Sequence, residues 1–505
     1  MSAAQSPLFE PVLWHGPSFS ILDETRVPEE IGYIEVTEVA QALAAVRDMK
    51  TRAFGQVLTF LYSGALLAEN LSGADGSHLR RSLAEMTEQF CAARPTFDFR
   101  GLGAFFDAWC GVADGAAGKF VARCARECAR NIVRGRQMRA KHAAMALPNP
   151  ALVLTHCNVS GELVAVARYC KELEKDFQVI ASETRPYLQG ARLTAWELAQ
   201  AGVAVSLIPD TAIAQVMARG EVNAVIVGAD RTARNGDIIN KVGTYPIARL
   251  AQEYGVPFYA LVQDPRSLER GSDVTIEERP THELLTFQGK PVVAGAERGL
   301  GARYPSFDVT PGTLITYLIG FEDVYTPKEF RRKHQSRVEA AGGSGRIGTG
   351  KYILIYGVPT QDQVASLISA LRVEQAESVL VPEMRPQLWG ARIVARELLE
   401  RKAPTTLIAD NMMGTLFAQA EIRKLYLFYT GLTAEGPAGI CGSLLAAQLA
   451  RLHGVPVELF DNEPRTDSTL DSDVSTFMGK RICPDGVAVR ALDAEVVPWS
   501  VLNDR

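Results

Sequence analysis

The chain has 505 residues, of which 47% are hydrophobic and 22% are charged, a balance typical of a soluble globular protein and not of a disordered one. At roughly 100–200 residues per domain, this length predicts about three domains. The 53 Lys and Arg residues against 58 Asp and Glu residues give a formal charge of -5. This charge argues against a nucleic-acid partner, although it leaves room for a local basic pocket that holds a small anion.

Targeting and metal signals are absent from the sequence. No run of about 18 apolar residues occurs, so we expect no membrane span, and residues 1–7 lack the basic and apolar regions of a signal peptide. The eight cysteines are scattered along the chain, which favours reduced thiols and a cytoplasmic protein. Cys124 and Cys128 have no second pair or histidine cluster nearby, so the sequence predicts no metal and no cofactor.

Residues 1–147 form the first predicted domain. Prolines at positions 7, 11, 17 and 28 predict an extended segment without regular elements over residues 1–35. From about Thr37 to Ala146 the chain is Ala-rich with apolar residues at helical spacing, which predicts a helical domain.

Residues 148–327 form the second predicted domain. Short apolar runs alternate there with amphipathic stretches, and the runs span residues 151–154, 177–181, 203–208, 224–227 and 257–262. Buried runs of this length separated by helices are typical of βαβ units. The sequence therefore predicts an α/β fold with a doubly wound, Rossmann-like parallel sheet.

Residues 351–505 are predicted to be a second copy of that domain, joined to the first by a basic and then Gly-rich linker over residues 328–350. Residues 183–210 share thirteen identities in twenty-eight positions with residues 383–410. A repeat offset of about 200 residues is too long for a solenoid. The predicted architecture is a helical domain followed by two Rossmann-like domains.

Candidate chemistry lies where the predicted strands of the first copy end, because ligands of an open parallel sheet bind beyond the carboxyl ends of its strands. Polar clusters follow the first four runs, and two more come shortly afterwards: residues 155–158, 183–186, 209–210, 228–231, 235–237 and 240–244. Acidic, amide and cationic groups and one thiol are therefore predicted to share one rim.

The second copy serves as an internal comparison. Framework residues such as Arg185, Pro186 and Gly190 recur in it, whereas residues able to do chemistry do not. Their aligned counterparts are Gly357 for Cys157, Trp389 for Gln189, Tyr429 for Asp230, and Gly439 and Ile440 for Asn240 and Lys241. The second copy is therefore predicted to be degenerate.

Each candidate also has a structural interpretation. Cys157 could be a small buried hydrophobe, and Asp230 could cap a helix, although their absence from the second copy favours a functional role. Glu183 and Arg185 occur in both copies, which favours a structural ion pair or turn. Asp210 also persists and is predicted to cap a helix.

These motifs resemble the methylthioribose-1-phosphate isomerase family. Its superfamily also holds ribose-1,5-bisphosphate isomerases and the regulatory subunits of translation initiation factor 2B. The resemblance covers about residues 10–330 and rests on residues 21–28, 93–96, 155–158, 183–198 and 228–244. It implies conversion of an aldose 1-phosphate into a ketose 1-phosphate, a reaction of methionine salvage.

The resemblance also implies roles for individual residues. Cys157 and Asp230 correspond to the catalytic pair. The positions that hold the sugar phosphate correspond to Arg52, Arg94, Gln189, Asn240 and Lys241. A thiol and a carboxyl can transfer protons if their pKa values approach neutrality, and a hydride shift stays open as the alternative.

Two departures keep other functions open. The family's Gly-rich phosphate segment reads Arg52-Ala53-Phe54-Gly55 here, which favours a non-catalytic, initiation factor 2B-like protein that binds a sugar phosphate. The stretch over residues 159–163 is short and resembles the ribose-1,5-bisphosphate branch. The substituent at C5 of the sugar is therefore left open.

The resemblance further implies a site between the helical domain and the first α/β domain, and dimerisation through the α/β domain. We expect the degenerate copy to pack where a partner's domain would lie, which gives a pseudo-dimer within one chain. A homodimer is the second option.

Overall fold

The structure is a computed structural model that describes residues 6–73, 75–95, 97–113, 117–335, 350–462, 473–490 and 494–502. The chain divides into two compact units. The first takes in the described residues up to Met145 together with residues 159–173 and 321–323. The second takes in residues 146–158, 174–320 and those from 324 onward, and therefore holds both predicted α/β copies apart from residues 159–173 and 321–323 of the first copy.

The first unit begins with a three-stranded antiparallel sheet made of β1 (Val12–Trp14), β2 (Phe19–Leu22) and β3 (Tyr33–Val36). The prediction that prolines would prevent regular structure here was wrong. The prolines lie in turns and bends outside the strands, where the missing N–H removes no hydrogen bond of the sheet.

Helices make up the rest of the first unit, as predicted for residues 37–146. They are α1 (Val39–Arg47), α2 (Ala53–Asn70), α3 (Gly76–Ala93), α4 (Phe99–Val112), α5 (Ala117–Ala146) and α6 (Glu162–Glu172). Phe60 packs against Phe90, Phe99 and Phe106 with ring centroids 5.2–5.4 Å apart. Within the described part of the chain, no helix is long and apolar enough to cross a membrane.

The first α/β copy lies in the second unit, and its strands match the predicted apolar runs to within about a residue at each end. Its elements are β4 (Ala151–Thr155), β5 (Phe177–Ser182), α7 (Ala195–Gln200), β6 (Ala204–Ile208), α8 (Ile213–Ala218), β7 (Ala224–Gly228), β8 (Arg231–Thr232), β9 (Ile238–Lys241), α9 (Thr244–Glu253), β10 (Phe258–Leu261), α10 (His282–Leu285), β11 (Thr286–Phe287), β12 (Lys290–Pro291), β13 (Gly301–Ala302), β14 (Phe307–Thr310), β15 (Tyr317–Ile319), β16 (Val324–Tyr325) and α11 (Pro327–Lys333).

The second copy follows the order of the first, with α6 included, through its first seven strands and differs beyond them. Its elements are β17 (Tyr352–Tyr356), α12 (Gln361–Val373), β18 (Ser378–Pro382), α13 (Ala395–Glu400), β19 (Thr405–Ile408), α14 (Met413–Ala418), β20 (Ile422–Tyr429), β21 (Gly431–Leu432), β22 (Pro437–Ile440), α15 (Ser443–Leu452), β23 (Val457–Asp461), β24 (Thr476–Phe477), β25 (Lys480–Arg481), β26 (Ala488–Val489), β27 (Ala494–Val496) and α16 (Trp499–Leu502).

Both copies are built on a doubly wound parallel sheet, as the sequence predicts. The first sheet has the order β16-β15-β10-β7-β4-β5-β6-β26, and the second has the order β13-β19-β18-β17-β20-β23. Pairing is parallel except for the edge strand β16. In each sheet the first strand of the copy lies between the second and the fourth, so the winding reverses there.

The two copies exchange edge strands reciprocally. Strand β26, near the end of the chain, pairs with β6 of the first sheet, whereas β13 of the first copy pairs with β19 of the second. The registers correspond, since Val489 pairs with Leu207 and Ala302 pairs with Leu407. Each sheet is therefore completed by a strand that belongs to the other copy in sequence.

The segment predicted as a linker begins with a helix. Helix α11 is capped by the Thr326 hydroxyl, which accepts a hydrogen bond from the Glu329 N–H at 3.3 Å, and it buries Phe330. The Gly-rich part of that segment, residues 336–349, lies outside the described residues.

Candidate active site

Cys157 and Asp230 follow two adjacent strands at the point where the first sheet reverses its winding. Strand β4 ends two residues before Cys157, and β7 ends two residues before Asp230. The two strands pair in parallel, with Thr155 opposite Ile226. The carboxyl ends of neighbouring parallel strands, about 4.8 Å apart, bound the crevice in which such sheets bind ligands.

The backbone of Cys157 is held in a left-handed conformation, with φ of 66°. Its N–H donates to Oγ1 of Thr184 at 2.8 Å, and its carbonyl accepts from Oγ1 of Thr194 at 2.6 Å. The aligned residue of the second copy, Gly357, has φ of 93°. A conformation that glycine adopts without strain is thus held here with a thiol side chain, which is characteristic of functional positions.

The second copy has no room for a thiol at the equivalent position. A Cβ added to Gly357 would lie 2.3 Å from the carbonyl oxygen of Phe428, which belongs to the neighbouring strand β20. The strand registers also correct one alignment. Val225 and Leu425 occupy equivalent positions opposite Leu154 and Leu354, so Asp230 corresponds to Thr430 and not to Tyr429.

His156 connects the end of β4 to the segment after β9. Because a carbonyl can only accept, the Nε2–H of His156 donates to the oxygen of Val242 at 2.9 Å, and Nδ1 accepts from the hydroxyl of Ser182 at 2.7 Å. Burial lowers the pKa of His156 to about 4, so the ring is neutral near pH 7. Its role in the described structure is to hold neighbouring segments together.

The other predicted ligands of this copy are also buried. Asn240 donates from Nδ2 to Oγ1 of Thr244 at 2.9 Å. The Nζ of Lys241 lies 4.7 Å from the centroid of the Phe307 ring, and the side chain is 7% exposed. Gln189, which follows β5, is 5% exposed, and within the described residues no donor reaches its Oε1. That acceptor suits a ligand hydroxyl.

Arg52 and Arg94 belong to the first unit and border one loop of it. Arg52 directly precedes α2, and its N–H donates to Oε1 of the buried Glu24 at 2.9 Å. Arg94 ends α3, with Nη1 2.8 Å from the sulfur of Met49, three residues before Arg52. Two guanidinium groups near the start of a long helix suit an anion.

The substitution of Phe54 into the phosphate segment has a local explanation. The Cζ of Arg136 lies 3.9 Å from the centroid of the Phe54 ring. Arg136 is itself paired with the buried Glu162, at 3.1 Å between Nε and Oε2. Phe54 therefore covers an internal ion pair of the first unit.

The framework residues shared by the two copies form contacts between those copies. Arg185 pairs with Glu383 at 2.8 Å, and Arg385 pairs with Glu183 at 2.7 Å, so the interpretation as structural ion pairs is confirmed. The prediction that Asp210 caps a helix was wrong. Its carboxylate instead accepts the backbone N–H groups of Thr184 and Arg185, at 2.9 and 2.8 Å.

Two residues that hold the segment around Cys157 were not predicted as part of the site. Thr194 and Glu197 both accept from the side-chain amide of Asn158, at 3.0 and 2.8 Å, and they lie in the motif over residues 183–198. Glu197 recurs as Glu397, which marks a framework residue, whereas Thr194 is replaced by Val394 and carried no such signal. Within the described ranges, no three His, Cys, Asp or Glu side chains are grouped so as to hold a metal ion.

Comparison with known proteins identifies the family of the chain. The model of the initiation factor 2 subunit family matches residues 59–322 and 329–498. A methylthioribose-1-phosphate isomerase from Desulforudis audaxviator is 36% identical over 357 residues, which are 67% of this chain and 99% of the relative. A 5-deoxyribose 1-phosphate isomerase from Moorella thermoacetica is 36% identical over 335 residues, 63% of this chain and 94% of the relative.

A solved structure shares the fold. The 5-methylthioribose 1-phosphate isomerase from Pyrococcus horikoshii superposes with a TM-score of 0.58 at 29% identity, over 66% of this chain and 99% of that one. These relatives match nearly their whole length to about two thirds of this chain, so the present chain carries additional sequence. The chain therefore belongs to the initiation factor 2 subunit family, on the branch formed by its sugar-phosphate isomerases.

Proposed function

We propose that the chain converts a 5-substituted ribose 1-phosphate, of the methylthioribose 1-phosphate type, into the corresponding ribulose 1-phosphate. The observation that carries this proposal is the position of Cys157 and Asp230 beyond two adjacent strands, β4 and β7, at the switch point of the first sheet. Family membership supplies the reaction class. The left-handed backbone of Cys157 supports a requirement for its side chain.

The proposed reaction moves protons between two side chains and the sugar. Asp230 in its acid form protonates the ring oxygen, and the bond between that oxygen and C1 breaks with its electrons on oxygen. The Cys157 thiolate removes the proton from C2, which leaves an enol between C1 and C2. The thiol then protonates C1 while Asp230 takes the O2 proton, so the C2 ketone forms and both side chains are restored.

The phosphate and the hydroxyls need separate partners. We propose phosphate-binding roles for Arg52 and Arg94, because guanidinium groups bind phosphate by charge-assisted, bidentate hydrogen bonds, and a substrate-binding role for the cation of Lys241. We assign sugar hydroxyls to Gln189 and Asn240. The buried Oε1 of Gln189, which no described donor reaches, supports this assignment.

We further propose that residues 351–505 are a non-catalytic copy that takes the place of a second subunit. Gly357 and Thr430 replace the thiol and the carboxyl, and the exchanged edge strands and paired ions support packing of the two copies as a pseudo-dimer. The proposed domains are residues 1–147, 148–327 and 351–505, with a linker over residues 328–350.

Proton NMR tests the activity. The full chain is incubated separately with methylthioribose 1-phosphate, 5-deoxyribose 1-phosphate and ribose 1,5-bisphosphate, and ketose formation is followed. We expect turnover of at least one, with Cys157→Ser and Asp230→Asn reducing kcat by about 100-fold or more. The matched control is Thr430→Val at the Asp230 position of the second copy, which should leave kcat unchanged.

The same experiment in deuterated water separates proton transfer from a hydride shift. Deuterium at C1 of the ketose would support proton transfer through Cys157, whereas full retention of the substrate's C2 hydrogen at C1 would support the shift.

A non-catalytic binding protein is the second candidate. Ala53 and Phe54 favour it, because they replace small residues that let a backbone approach phosphate closely. Tight binding of any of the three sugars by the wild-type chain without turnover would establish this candidate and end the isomerase proposal.

A further inference from the structure

We propose that Asn411, a residue of the second α/β copy, is a positioning residue for Cys157 in the first copy. Its kinetic test rests on the proposed function. Its second test, the reactivity of the thiol, does not depend on turnover. This role gives the second copy a part in the site in addition to its part in assembly.

Asn411 reaches across to the loop that follows β5 of the first copy. Its Nδ2 donates to the carbonyl oxygen of Arg185 at 2.8 Å and to Oδ2 of Asp210 at 3.0 Å. Both atoms accept, so the amide nitrogen must face them. The side chain is 3% exposed, and a contact shielded from water in this way orients its partners strongly.

Hydrogen bonds connect Asp210, which Asn411 orients, to the backbone of Cys157 through Thr184. Oδ1 of Asp210 accepts the Thr184 N–H at 2.9 Å, and its Oδ2 accepts the Arg185 N–H at 2.8 Å. Thr184 has a left-handed backbone with φ of 61°, and its hydroxyl oxygen accepts the N–H of Cys157 at 2.8 Å. Three consecutive hydrogen-bonded contacts therefore join Asn411 to the backbone of the strained cysteine.

Asn411 also bounds the turn that follows Lys241. Gly243 in that turn has φ of 105°, and a Cβ on it would lie 3.0 Å from Cβ of Asn411 and 2.8 Å from Nε2 of His156. The turn is thus enclosed between a residue of each copy. Asn411 and His156, the residue next to Cys157 in sequence, therefore pack against the same glycine.

The equivalent residue of the first copy is different. Thr211 also reaches across, where its hydroxyl lies 3.3 Å from the carbonyl oxygen of Arg385 and 3.3 Å from the sulfur of Cys441. It faces the copy that lacks the thiol and the carboxyl. The asparagine is therefore found where the opposite copy keeps Cys157, and a threonine where it does not.

The asparagine also carries a cost that a threonine would avoid. Its Oδ1 is buried, and no donor among the described residues reaches it. An unsatisfied buried acceptor is unfavourable, so its presence is explained by what the amide nitrogen does and not by stability alone.

The test compares Asn411→Thr, which copies the other side of the interface, with Thr211→Ala as the matched control. We expect Asn411→Thr to lower kcat at least about tenfold with KM within about threefold, because a misplaced thiol affects the chemical step more than binding. The control should change neither by more than about twofold. Asn411→Ser serves as a second variant if the first does not fold, as judged by cooperative thermal unfolding.

The second readout is the rate at which iodoacetamide alkylates Cys157, measured by mass spectrometry of its peptide. We expect at least about a threefold change in Asn411→Thr and no change in Thr211→Ala. Equal effects of the two variants on both readouts, or no effect of Asn411→Thr, would overturn the inference. If the wild type turns over none of the sugars, the proposed function fails, and the alkylation rates still decide the role of Asn411.

Discussion

Buried acids hold the starts of equivalent helices in the two copies. Asp308 accepts the N–H groups of Gly243 and Tyr245, at 2.8 and 3.0 Å, where α9 begins. Glu495 accepts the Leu444 N–H at 2.7 Å, where α15 begins. Burial raises the pKa of Asp308 to about 7 and that of Glu495 to about 8. Different residue types from different sequence positions thus satisfy the same unpaired helix donors.

Glu495 should make stability depend on pH. Its pKa is raised on folding from 4.5 to about 8, so the folded state binds the extra proton between these values. Stability from this group is therefore present below pH 4.5 and is lost as the pH rises through about 8. We expect the free energy of unfolding of Glu495→Gln, measured in urea, to rise relative to that of wild type by about 1–3 kcal/mol between pH 5 and 8.5, because only the wild type loses the proton.

Glu377→Gln, which changes an exposed glutamate in the same way, is the matched control. An equal pH dependence of the two variants would contradict the assignment to Glu495.

At the scale of elements, the exchanged edge strands are short but anchored. Beyond β26, the N–H of Arg490 donates to the carbonyl of Leu207 at 3.0 Å. The reciprocal bond runs from Arg303 to Leu407 at 3.2 Å. Each arginine also pairs with a glutamate of the opposite copy, Glu221 or Glu421. The repetition of backbone and side-chain contacts indicates that both edges are specific pairings.

Arg490→Pro should destabilise the second unit by about 1–3 kcal/mol, because it removes the N–H donor and leaves the Leu207 carbonyl unpaired. Arg490→Ala keeps the N–H and loses a partly exposed ion pair, so it should cost less than about 1 kcal/mol. Chemical denaturation measures both. Equal costs would mean that the backbone pairing contributes nothing.

At the scale of the whole molecule, the sequence repeat corresponds to reciprocal contacts in the second unit. The pairs Arg185–Glu383 and Arg385–Glu183 join the copies, and all four side chains are at most 2% exposed. Apolar residues from both copies also share continuous clusters. A strong interface within one chain explains why contacts divide the molecule into two units and do not separate the two copies.

Arg385→Met should lower the free energy of unfolding by about 3–5 kcal/mol, because it leaves the buried Glu183 without its countercharge. Adding Glu183→Leu should recover part of that loss, since replacing both charges with apolar groups removes the uncompensated one. Denaturation of the single and double variants forms the test. A double variant no more stable than Arg385→Met would show that the two charges do not act as a pair.

Periodicity and repetition made most of the fold predictable. The helices of residues 37–146 follow from apolar spacing, which reports which face of an element is buried, and five strands of the first sheet follow from short apolar runs. The short strands near the N-terminus were missed, because turns that contain proline conceal strands of three or four residues. The thiol and carboxyl were predicted as site residues because the second copy retains framework residues and lacks these two groups.

By itself, the sequence predicted the α/β class, the internal repeat and the position of Cys157 and Asp230 at the ends of strands, since each follows from local pattern or internal comparison. Tertiary structure decided which strands complete which sheet, the counterpart of Asp230, and the contacts of Asp210 and Asn411. Those features depend on contacts between residues far apart in the chain, such as Asn411 with Asp210 and Val489 with Leu207, and no local pattern encodes such pairings.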